Sequence, residues 1–239
     1  VRVEDERLRP SERRLPDRAV LGRWLTSGDY RVDLVFATDG LSLALAVLAS
    51  LLCLFVMRFA VNYMHREAGF HRLFMVLSLF AAAMLLLVTG GNAALAFVGW
   101  EVAGLCSYLL ISFFRDRPVA VGNATRVFVT NRVGDAGFLL GIALSFYWLG
   151  GADWGTITAG AAGSSATRTG ILAGCFLLAA MVKSAQVPFA PWLARAMEGP
   201  TPSSALFYGA VMVHAGVYLV LRLEPLFEQS PAAMAAMAA

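Results

Sequence analysis

Residues 170–192, GILAGCFLLAAMVKSAQVPFAPW, join a long apolar run to one lysine and then to two prolines. Lys183 is the only lysine among 19 basic residues, and all the others are arginines. A guanidinium keeps its proton at ordinary pH, whereas the pKa of an ammonium that is removed from water can fall by several units. Ionisable side chains at membrane depth mark ion and proton paths. This stretch therefore predicts a membrane helix that carries one exchangeable proton.

The same stretch predicts that the helix breaks just beyond the lysine. Proline removes a backbone donor and clashes with the preceding turn, so it ends or kinks a helix. Broken backbone is tolerated inside a membrane where protein or a water-filled cavity supports it, and it commonly forms ion sites in transporters. Ser184 and Gln186, next to the lysine, could hold water along a proton path. The prolines that are expected to break the helix are Pro188, Pro191, Pro200 and Pro202.

The composition is that of an all-α integral membrane protein. Of the 239 residues, 59% are hydrophobic and 15% are charged, and the mean hydropathy is +0.68. Half of the 16 acidic residues lie within residues 1–40, so most of the chain is apolar. The net charge of +3 forms no basic face with interleaved aromatic residues, so nucleic acid is not an expected partner.

Six apolar segments are each long enough to cross ~30 Å of hydrocarbon at about 1.5 Å per residue. Before them, residues 1–20 predict a polar arm with the composition of a disordered segment, and residues 21–40 predict a short β-hairpin outside the membrane. The segment 150–168 is rich in small residues and predicts a surface loop. The tail 223–239 is expected to be truncated, as is the other terminus. The predicted spans are 41–61, 72–90, 93–114, 123–149, 169–187 and 202–222.

Positive charge in the connecting segments is one-sided. The turn near Gly90–Asn92 has no charge, whereas the connectors after the first and third spans are rich in arginine. Cytoplasmic loops of membrane proteins carry such an excess, so we expect the basic connectors in the cytoplasm and the 1–20 arm outside. A bacterial plasma membrane is expected, or an energy-transducing organelle membrane. The arginines are Arg58, Arg66, Arg72, Arg115, Arg117 and Arg126.

A small set of polar residues lies inside the predicted spans. Glu101 is the only acid of the third span and lies well inside it. Arg132 and Asp135 are three residues apart on one helical face, where they either orient the helix as an ion pair or tune the local field. His214 is the only histidine inside a span, and it either bonds across helices or shuttles protons. Tyr208 is a possible further member of the path, although it faces a different side from His214.

Several kinds of chemistry have no signature in the sequence. There is no GxGxxG or Walker loop, and the three cysteines lie in separate apolar runs without metal-ligand spacing. We expect no cofactor and no metal in this chain. Its predicted chemistry is the binding of protons or ions, and whether it is part of an enzyme depends on its partners.

Four motifs resemble the antiporter-like subunits of respiratory complex I, nearest to subunit L, which is chain 5 in mitochondria. The resemblance runs from about Trp24 to Arg222, and the fourth motif is the most specific. The same family includes subunits of multi-subunit sodium/proton antiporters, of membrane hydrogenases and of inorganic-carbon uptake systems. The motifs are TDGLSL (38–43), GWEVAGLCSYLLISFF (99–114), NRVGDAGFLL (131–140) and KSAQVPFAPWLARAMEGPTPSSAL (183–206).

The resemblance implies a fold of fourteen or more helices with two inverted five-helix repeats, each forming a half-channel with a broken helix. This chain would hold helices three to eight and thus the first repeat. The family's key glutamate matches Glu101, its broken-helix lysine matches Lys183, and its charged pair matches Arg132 and Asp135. Subunit L usually has a histidine where this chain has Tyr208. Here a histidine follows six residues later, at His214.

We therefore expect a proton-translocating membrane subunit of an NADH:quinone oxidoreductase-type complex, with the lipid bilayer and other membrane subunits as partners. Protons would reach Lys183, be held there by the Glu101 carboxylate, and pass on toward His214. A partner must drive this transfer, because the chain has no redox site of its own. The alternatives are a subunit of a sodium/proton antiporter or of a proton-coupled carbon-uptake complex, and, from another class, a structural scaffold with an inactive channel.

Overall fold

The chain begins with a β-hairpin, in a computed structural model that describes residues 17–28, 30–207 and 211–238. Strands β1 (Arg18–Ser27) and β2 (Tyr30–Ala37) pair antiparallel, with two register shifts along β1. The predicted hairpin is confirmed. It begins at Arg18, three residues inside the segment that was expected to be a polar arm. The rest of that arm, residues 1–16, lies outside the described residues.

Five helices in the described part of the chain are long and apolar enough to cross a membrane. Each of their ends lies within five residues of a predicted boundary, and the helical membrane fold is confirmed. The largest difference is the early start of the fourth helix, where Pro118 has the fixed backbone angle that suits a first helical turn. The helices are α1 (Gly40–Tyr63), α2 (Phe70–Thr89), α3 (Ala93–Ile111), α4 (Pro118–Leu149) and, after the short helix α5 (Trp154–Ala162), α6 (Ala166–Lys183).

Helix α3 lies at the centre of the bundle and α1 at its edge. Within the most apolar 18-residue stretch of each helix, 56% of the residues of α3 are buried, whereas only 17% of those of α1 are buried. Helix α3 packs closely on α2 because Gly99 has no side chain. A Cβ at Gly99 would lie 2.6 Å from the carbonyl oxygen of Ala83 and 2.6 Å from the backbone nitrogen of Leu87. Glu101 is therefore carried by the central helix of the bundle.

Helices α4 and α6 approach each other through glycines of α4. A Cβ at Gly134 would lie 2.7 Å from the Cβ of Val182, and one at Gly141 would lie 2.9 Å from the ring of Phe176. Small residues on one helical face let two membrane helices come into close contact. This contact brings the middle of α4, with Arg132 and Asp135, to the end of α6.

Beyond Lys183 the chain runs through short helical pieces, as the prolines predicted. Helix α6 ends at Lys183. The chain then forms α7 (Pro191–Arg195), a 3₁₀ turn (Ala196–Glu198) and α8 (Thr201–Ala205). Pro191 lies in the first turn of α7 and Pro202 in the first turn of α8, where a missing backbone donor has no cost.

The predicted sixth span, 202–222, is not one continuous helix. After α8 the carbonyl oxygen of Leu206 accepts bonds from the backbone N–H groups of Val211, at 3.1 Å, and Met212, at 3.2 Å. Bonds to residues five and six positions later belong to a turn wider than that of an α-helix. Helix α9 (His214–Arg222) begins only after this turn. Residues 205–213 of this segment carry no charge and are mostly apolar, so hydropathy alone did not indicate the interruption.

The predicted surface loop contains helical structure, and so does the tail, for which the sequence analysis predicted no secondary structure. Most of the predicted loop 150–168 forms α5 and the start of α6, and the tail 223–239 contains α10 (Glu224–Glu228) and α11 (Pro231–Ala238). In α5, Trp154, Ile157 and Ala161 are buried on one face. The segment contains many glycines, serines and threonines, which are typical of loops, so the sequence analysis did not predict this short amphipathic helix.

The hairpin packs against the turn between α2 and α3. The N–H of Gly91 donates to the carbonyl oxygen of Val35 at 2.7 Å, and Nδ2 of Asn92 donates to that of Asp33 at 2.8 Å. The indole of Trp154 donates to the carbonyl oxygen of Gly90 at 2.7 Å. The hairpin and α5 thus cover the uncharged end of the bundle, opposite the arginine-rich connectors.

Candidate functional site

Lys183 is enclosed at the point where α6 ends. Its relative exposure is 1%, and its Nζ donates to the backbone carbonyl oxygen of Trp100 at 3.2 Å. The ammonium also lies over the Trp100 ring, 4.9 Å from its centre, where the electron-rich face of the indole attracts a cation. The predicted burial of the lysine in a membrane helix is therefore present in the structure.

Arg132 is the centre of an ion-pair network between α3 and α4. Its Nη1 donates to Oε2 of Glu101, and its Nη2 lies 2.6 Å from Oδ2 of Asp135. The guanidinium lies 4.6 Å from the centre of the Phe128 ring. The predicted pairing of Arg132 with Asp135 is present, and Arg132 also binds a second carboxylate that sequence spacing did not indicate.

Trp100 connects the lysine to this network. Its indole N–H donates to Oδ1 of Asp135 at 2.6 Å, while its carbonyl oxygen accepts from Lys183. Asp135 is 4% exposed, so its two oxygens are held by the indole of Trp100 and the guanidinium of Arg132 rather than by water. Two cations and two carboxylates therefore form one cluster around Trp100, and its formal charge is zero when Lys183 is protonated.

The structure changes the expected relationship between Lys183 and Glu101. Within the described residues, Lys183 makes no ion pair within 4.0 Å, and the carboxylate of Glu101 is paired with Arg132 instead. The side chains of Glu101 and Arg132 are 28% and 35% exposed, whereas Lys183 is enclosed. The cluster thus has a deep end at Lys183 and a shallow end at Glu101, with Arg132 between them.

Gly104 leaves open space beside both cations, because it has no side chain. A Cβ at this position would lie 3.3 Å from Nη2 of Arg132 and 3.4 Å from Nζ of Lys183. Gly104 follows Trp100 by one helical turn, so both residues face α4 and α6 from the same side of α3. Sequence reasoning missed Trp100 and Gly104. Their spacing around Glu101 in GWEVAG is the signal that could have indicated them.

Trp192 fixes the broken segment next to the lysine. This side chain is 1% exposed, and its Nε1 donates to the carbonyl oxygen of Val182 at 2.7 Å. That carbonyl lies in the last turn of α6 and also accepts a bond from the backbone N–H of Ala185 at 3.2 Å. Trp192 therefore adds a side-chain bond that ties α7 to the end of α6. It is a further residue that the sequence analysis did not single out.

The polar neighbours of Lys183 do not face the charged cluster. Ser184 packs against α9, since a Cβ at Gly216 would collide with Oγ of Ser184. Gln186 is exposed, and its Nε2 donates to the carbonyl oxygen of Ser184 at 3.2 Å. Both line a surface cavity of about 360 Å³ between α6, α9 and α11. Pro188 is exposed nearby, and Pro200 directly precedes α8.

His214 lies apart from the cluster. Its side chain lines a small apolar cavity with residues of α1 and α2, including Leu45, Ala49 and Met84. Its buried Nδ1 has no hydrogen-bond partner within the described residues. The described structure thus brings together Glu101, Arg132, Asp135 and Lys183, but not His214. Tyr208, the other predicted member of the path, lies outside the described residues.

Comparison with known proteins identifies the family. Residues 90–239 match the model of the family described as NADH:quinone oxidoreductase/Mrp antiporter, and residues 24–74 match the one described as complex I, chain 5 N-terminus. The chain belongs to the NADH:quinone oxidoreductase/Mrp antiporter family. It is a multi-pass membrane protein with an antiporter-like helical fold, as the motifs indicated.

Individual relatives support the same assignment. The chain is 44% identical to NAD(P)H-quinone oxidoreductase chain 5 of Synechocystis over 218 residues, covering 88% of this chain and 32% of that protein. It is 43% identical to NADH-quinone oxidoreductase subunit L of Mycobacterium tuberculosis over 213 residues, covering 89% and 34%. The chain thus spans about a third of the length of these curated relatives.

A solved structure shows the same fold. The structure of the Mrp complex from Dietzia sp. matches 90% of this chain with a TM-score of 0.82 and 30% sequence identity. The match covers 24% of the Mrp chain. The names of these relatives describe one as a subunit L and the other as an Mrp complex.

Proposed function

We propose that this chain forms the proton-translocating half-channel of an antiporter-like subunit in an NADH:quinone oxidoreductase-type complex. The observation that carries the proposal is the enclosed Lys183 at a helix break, next to a cluster in which one arginine holds two carboxylates. Such a site can hold and release one proton without any cofactor. The names of the most similar curated relatives support the choice of complex.

The charge balance of the cluster explains how the proton is held. Protonated Lys183 and Arg132 together neutralise Glu101 and Asp135, whereas loss of the proton leaves one uncompensated negative charge. An unbalanced charge is costly where water is excluded. With the network in the observed arrangement, the lysine therefore holds its proton. Release requires that the neighbouring charges move.

Arg132 is the group that can make this change. It contacts Glu101 at the shallow end and Asp135 at the deep end of the cluster. If a partner draws Glu101 and Arg132 outward, Asp135 remains to hold the protonated lysine. If Arg132 moves inward, its charge repels the ammonium and favours release of the proton. The two arrangements give the site the two states that a pump needs.

The magnitudes suit an energy-transducing membrane. A thousandfold change in proton affinity corresponds to ~4 kcal/mol. Moving one elementary charge through ~180 mV requires about the same free energy, at ~2.3 kcal/mol per 100 mV. A driver that rearranges the cluster could therefore move a proton against a membrane potential of ordinary size.

We propose separate parts for the outer members of the path. The cavity beside Ser184 and Gln186 would give water access to the end of α6, and His214 would serve a later step, since it does not contact Lys183. Tyr208 stays a candidate for the connection between them.

A sodium/proton antiporter subunit is the second candidate. It is supported by the likeness to a structure of an Mrp complex. The buried chemistry would be the same in both cases. The difference lies in the partner that drives the cluster and in the ion that is exchanged.

Replacement of Glu101 by Gln tests the proposal. Proton uptake into sealed vesicles is measured for the full assembled complex, with and without sodium, and Glu67→Gln is the control because Glu67 is exposed in the connector between α1 and α2. We expect the rate of uptake to fall at least tenfold in Glu101→Gln, which corresponds to a barrier raised by ~1.4 kcal/mol or more. The rate should stay unchanged in the control. Equal uptake in both variants would favour the inactive scaffold, and a sodium requirement would favour the antiporter.

A further inference from the structure

A cavity of about 440 Å³ lies at the arginine-rich end of the bundle, and no residue of the charged cluster lines it. It is formed where α2 begins, α3 ends and α4 begins. Arg72, in the first turn of α2, and Arg115, just beyond α3, both line it. Because both belong to the basic connectors, the cavity lies at the level of lipid headgroups on that side of the membrane.

The two arginines have no acidic partner in the part of the chain that the structure describes. Within the described residues, neither guanidinium lies within 4.0 Å of a carboxylate, although Asp116 is next in sequence to Arg115. Nη2 of Arg72 donates to the carbonyl oxygen of Phe113 at 2.8 Å, and its guanidinium lies 4.9 Å from the centre of the Phe113 ring. Arg72 is thus held in position at the cavity, while Arg115 is exposed and unpaired.

The rest of the lining is mostly apolar and continues along the outside of the helices. Met75 is 66% exposed, Leu109 is 39% exposed and Val121 is 37% exposed. Tyr108, with an apolar ring and a polar tip, also lines the cavity, as aromatic residues do at membrane interfaces. Positive charge at the headgroup level and an apolar wall below it together match the two parts of one molecule.

We propose that this cavity binds an anionic phospholipid of the leaflet on the side of the basic connectors. The phosphate would lie between Arg72 and Arg115, and an acyl chain would pack against Met75, Leu109 and Val121. Basic pockets between membrane helices bind anionic headgroups in this way. An apolar helix of a partner would not use the unpaired charge, so charge complementarity favours the lipid.

Lipid retention by the purified complex tests this proposal. The full complex is reconstituted in nanodiscs that contain phosphatidylglycerol and phosphatidylcholine, re-extracted in mild detergent, and its bound lipid is counted by mass spectrometry. The variants are Arg115→Gln, which removes a charge at the cavity, and Val121→Trp, which fills the apolar wall. The control is Arg117→Gln, because Arg117 is also exposed in this connector but does not line the cavity.

We expect Arg115→Gln to lower retained phosphatidylglycerol about fivefold, the factor that corresponds to one arginine near a charged surface, and Arg117→Gln to leave it unchanged. Val121→Trp should lower it as well. Equal losses in Arg115→Gln and Arg117→Gln would overturn the proposal, because they would indicate a general charge effect. The proposal would also be overturned if the native complex retained as much phosphatidylcholine as phosphatidylglycerol, or if inorganic phosphate displaced the bound phosphatidylglycerol. A cross-link from residue 121 to another subunit, in a complex without bound lipid, would overturn it as well.

Discussion

The ammonium of Lys183 donates to the backbone carbonyl oxygen of Trp100, 3.2 Å away, across the interface between α6 and α3. A backbone carbonyl cannot titrate, so this bond holds the lysine in place without fixing its protonation by a permanent counter-charge. In the proposed mechanism, the charges that decide whether the proton stays belong to Arg132, Asp135 and Glu101. Positioning and proton affinity are thereby assigned to different groups.

Replacing Trp100 by Phe should destabilise the bundle. The ring over Lys183 is kept, but the indole N–H that donates to Asp135 at 2.6 Å is lost, and a buried carboxylate oxygen loses its donor. We expect a loss of about 1–3 kcal/mol in unfolding free energy. Thermal unfolding in detergent measures it. Trp148→Phe is the matched control, since the indole N–H of Trp148 has no hydrogen bond within the described residues, and an equal loss in both would refute the role of the Asp135 bond.

Replacing Gly104 by Ala should impair transfer more than assembly. The added methyl group would lie 3.3 Å from Arg132 and 3.4 Å from Lys183, so one of the two cations must shift. We expect the translocation rate to fall about fivefold, equivalent to ~1 kcal/mol in the barrier.

Gly174→Ala controls for the general effect of adding a methyl group to a helix. Gly174 lies in α6, and a Cβ there meets nothing within 4 Å, so alanine should stabilise the helix slightly and leave transfer unchanged. If Gly104→Ala translocates protons at the native rate, the two cations do not need the space that Gly104 provides.

Asp39 should make stability depend on pH. It caps α1, and Arg222 at the end of α9 donates to its two carboxylate oxygens at 2.5 Å and 3.1 Å. Burial by itself raises the pKa of Asp39, but the bonds from Arg222 and Ser42 outweigh it and hold that pKa below its usual value. A carboxyl with a lowered pKa contributes stability above its unfolded pKa, and this is lost as the pH falls through its folded pKa.

Asp39→Asn tests this pH dependence. Asparagine caps a helix as well as aspartate does, so the main effect of the variant is to remove the negative charge that pairs with Arg222. We expect the variant to lose about 1–2 kcal/mol of unfolding free energy at pH 7 and less than this below about pH 4. Thermal unfolding at pH 7 and at a pH below about 4 measures the difference. Asp116→Asn, at an exposed position, should show no such loss. A loss for Asp39→Asn that is the same at both pH values would contradict the ion-pair explanation.

Sequence reasoning gave the parts of the site that depend on single residues and not those that depend on contacts between helices. Hydropathy indicated six spans, five of which are long helices, and the prolines after Lys183 indicated the break. The pairing of Arg132 with Asp135 followed from helical spacing, because both lie on α4. Its second bond, to Glu101 on α3, depends on how α3 and α4 pack, which no local pattern encodes. The separation of His214 from Lys183 depends in the same way on the interrupted sixth segment.

The short helices were missed for a different reason. Helix α5 is stabilised by Trp154, which is buried and bonded to Gly90 of the α2–α3 turn, so a distant contact outweighs a sequence rich in small residues. The wide turn at Leu206 involves a carbonyl that accepts two backbone bonds, and its side chains look like those of any apolar helix.

The measurement that tests the central claim most directly is proton translocation by the full complex in sealed vesicles, comparing the native protein with Lys183→Arg. Arginine keeps the positive charge and the approximate length but does not release its proton. The account predicts that translocation collapses while the amount of assembled complex is unchanged. Native translocation in an assembled Lys183→Arg complex would contradict it, because Lys183 would then act only as a fixed charge.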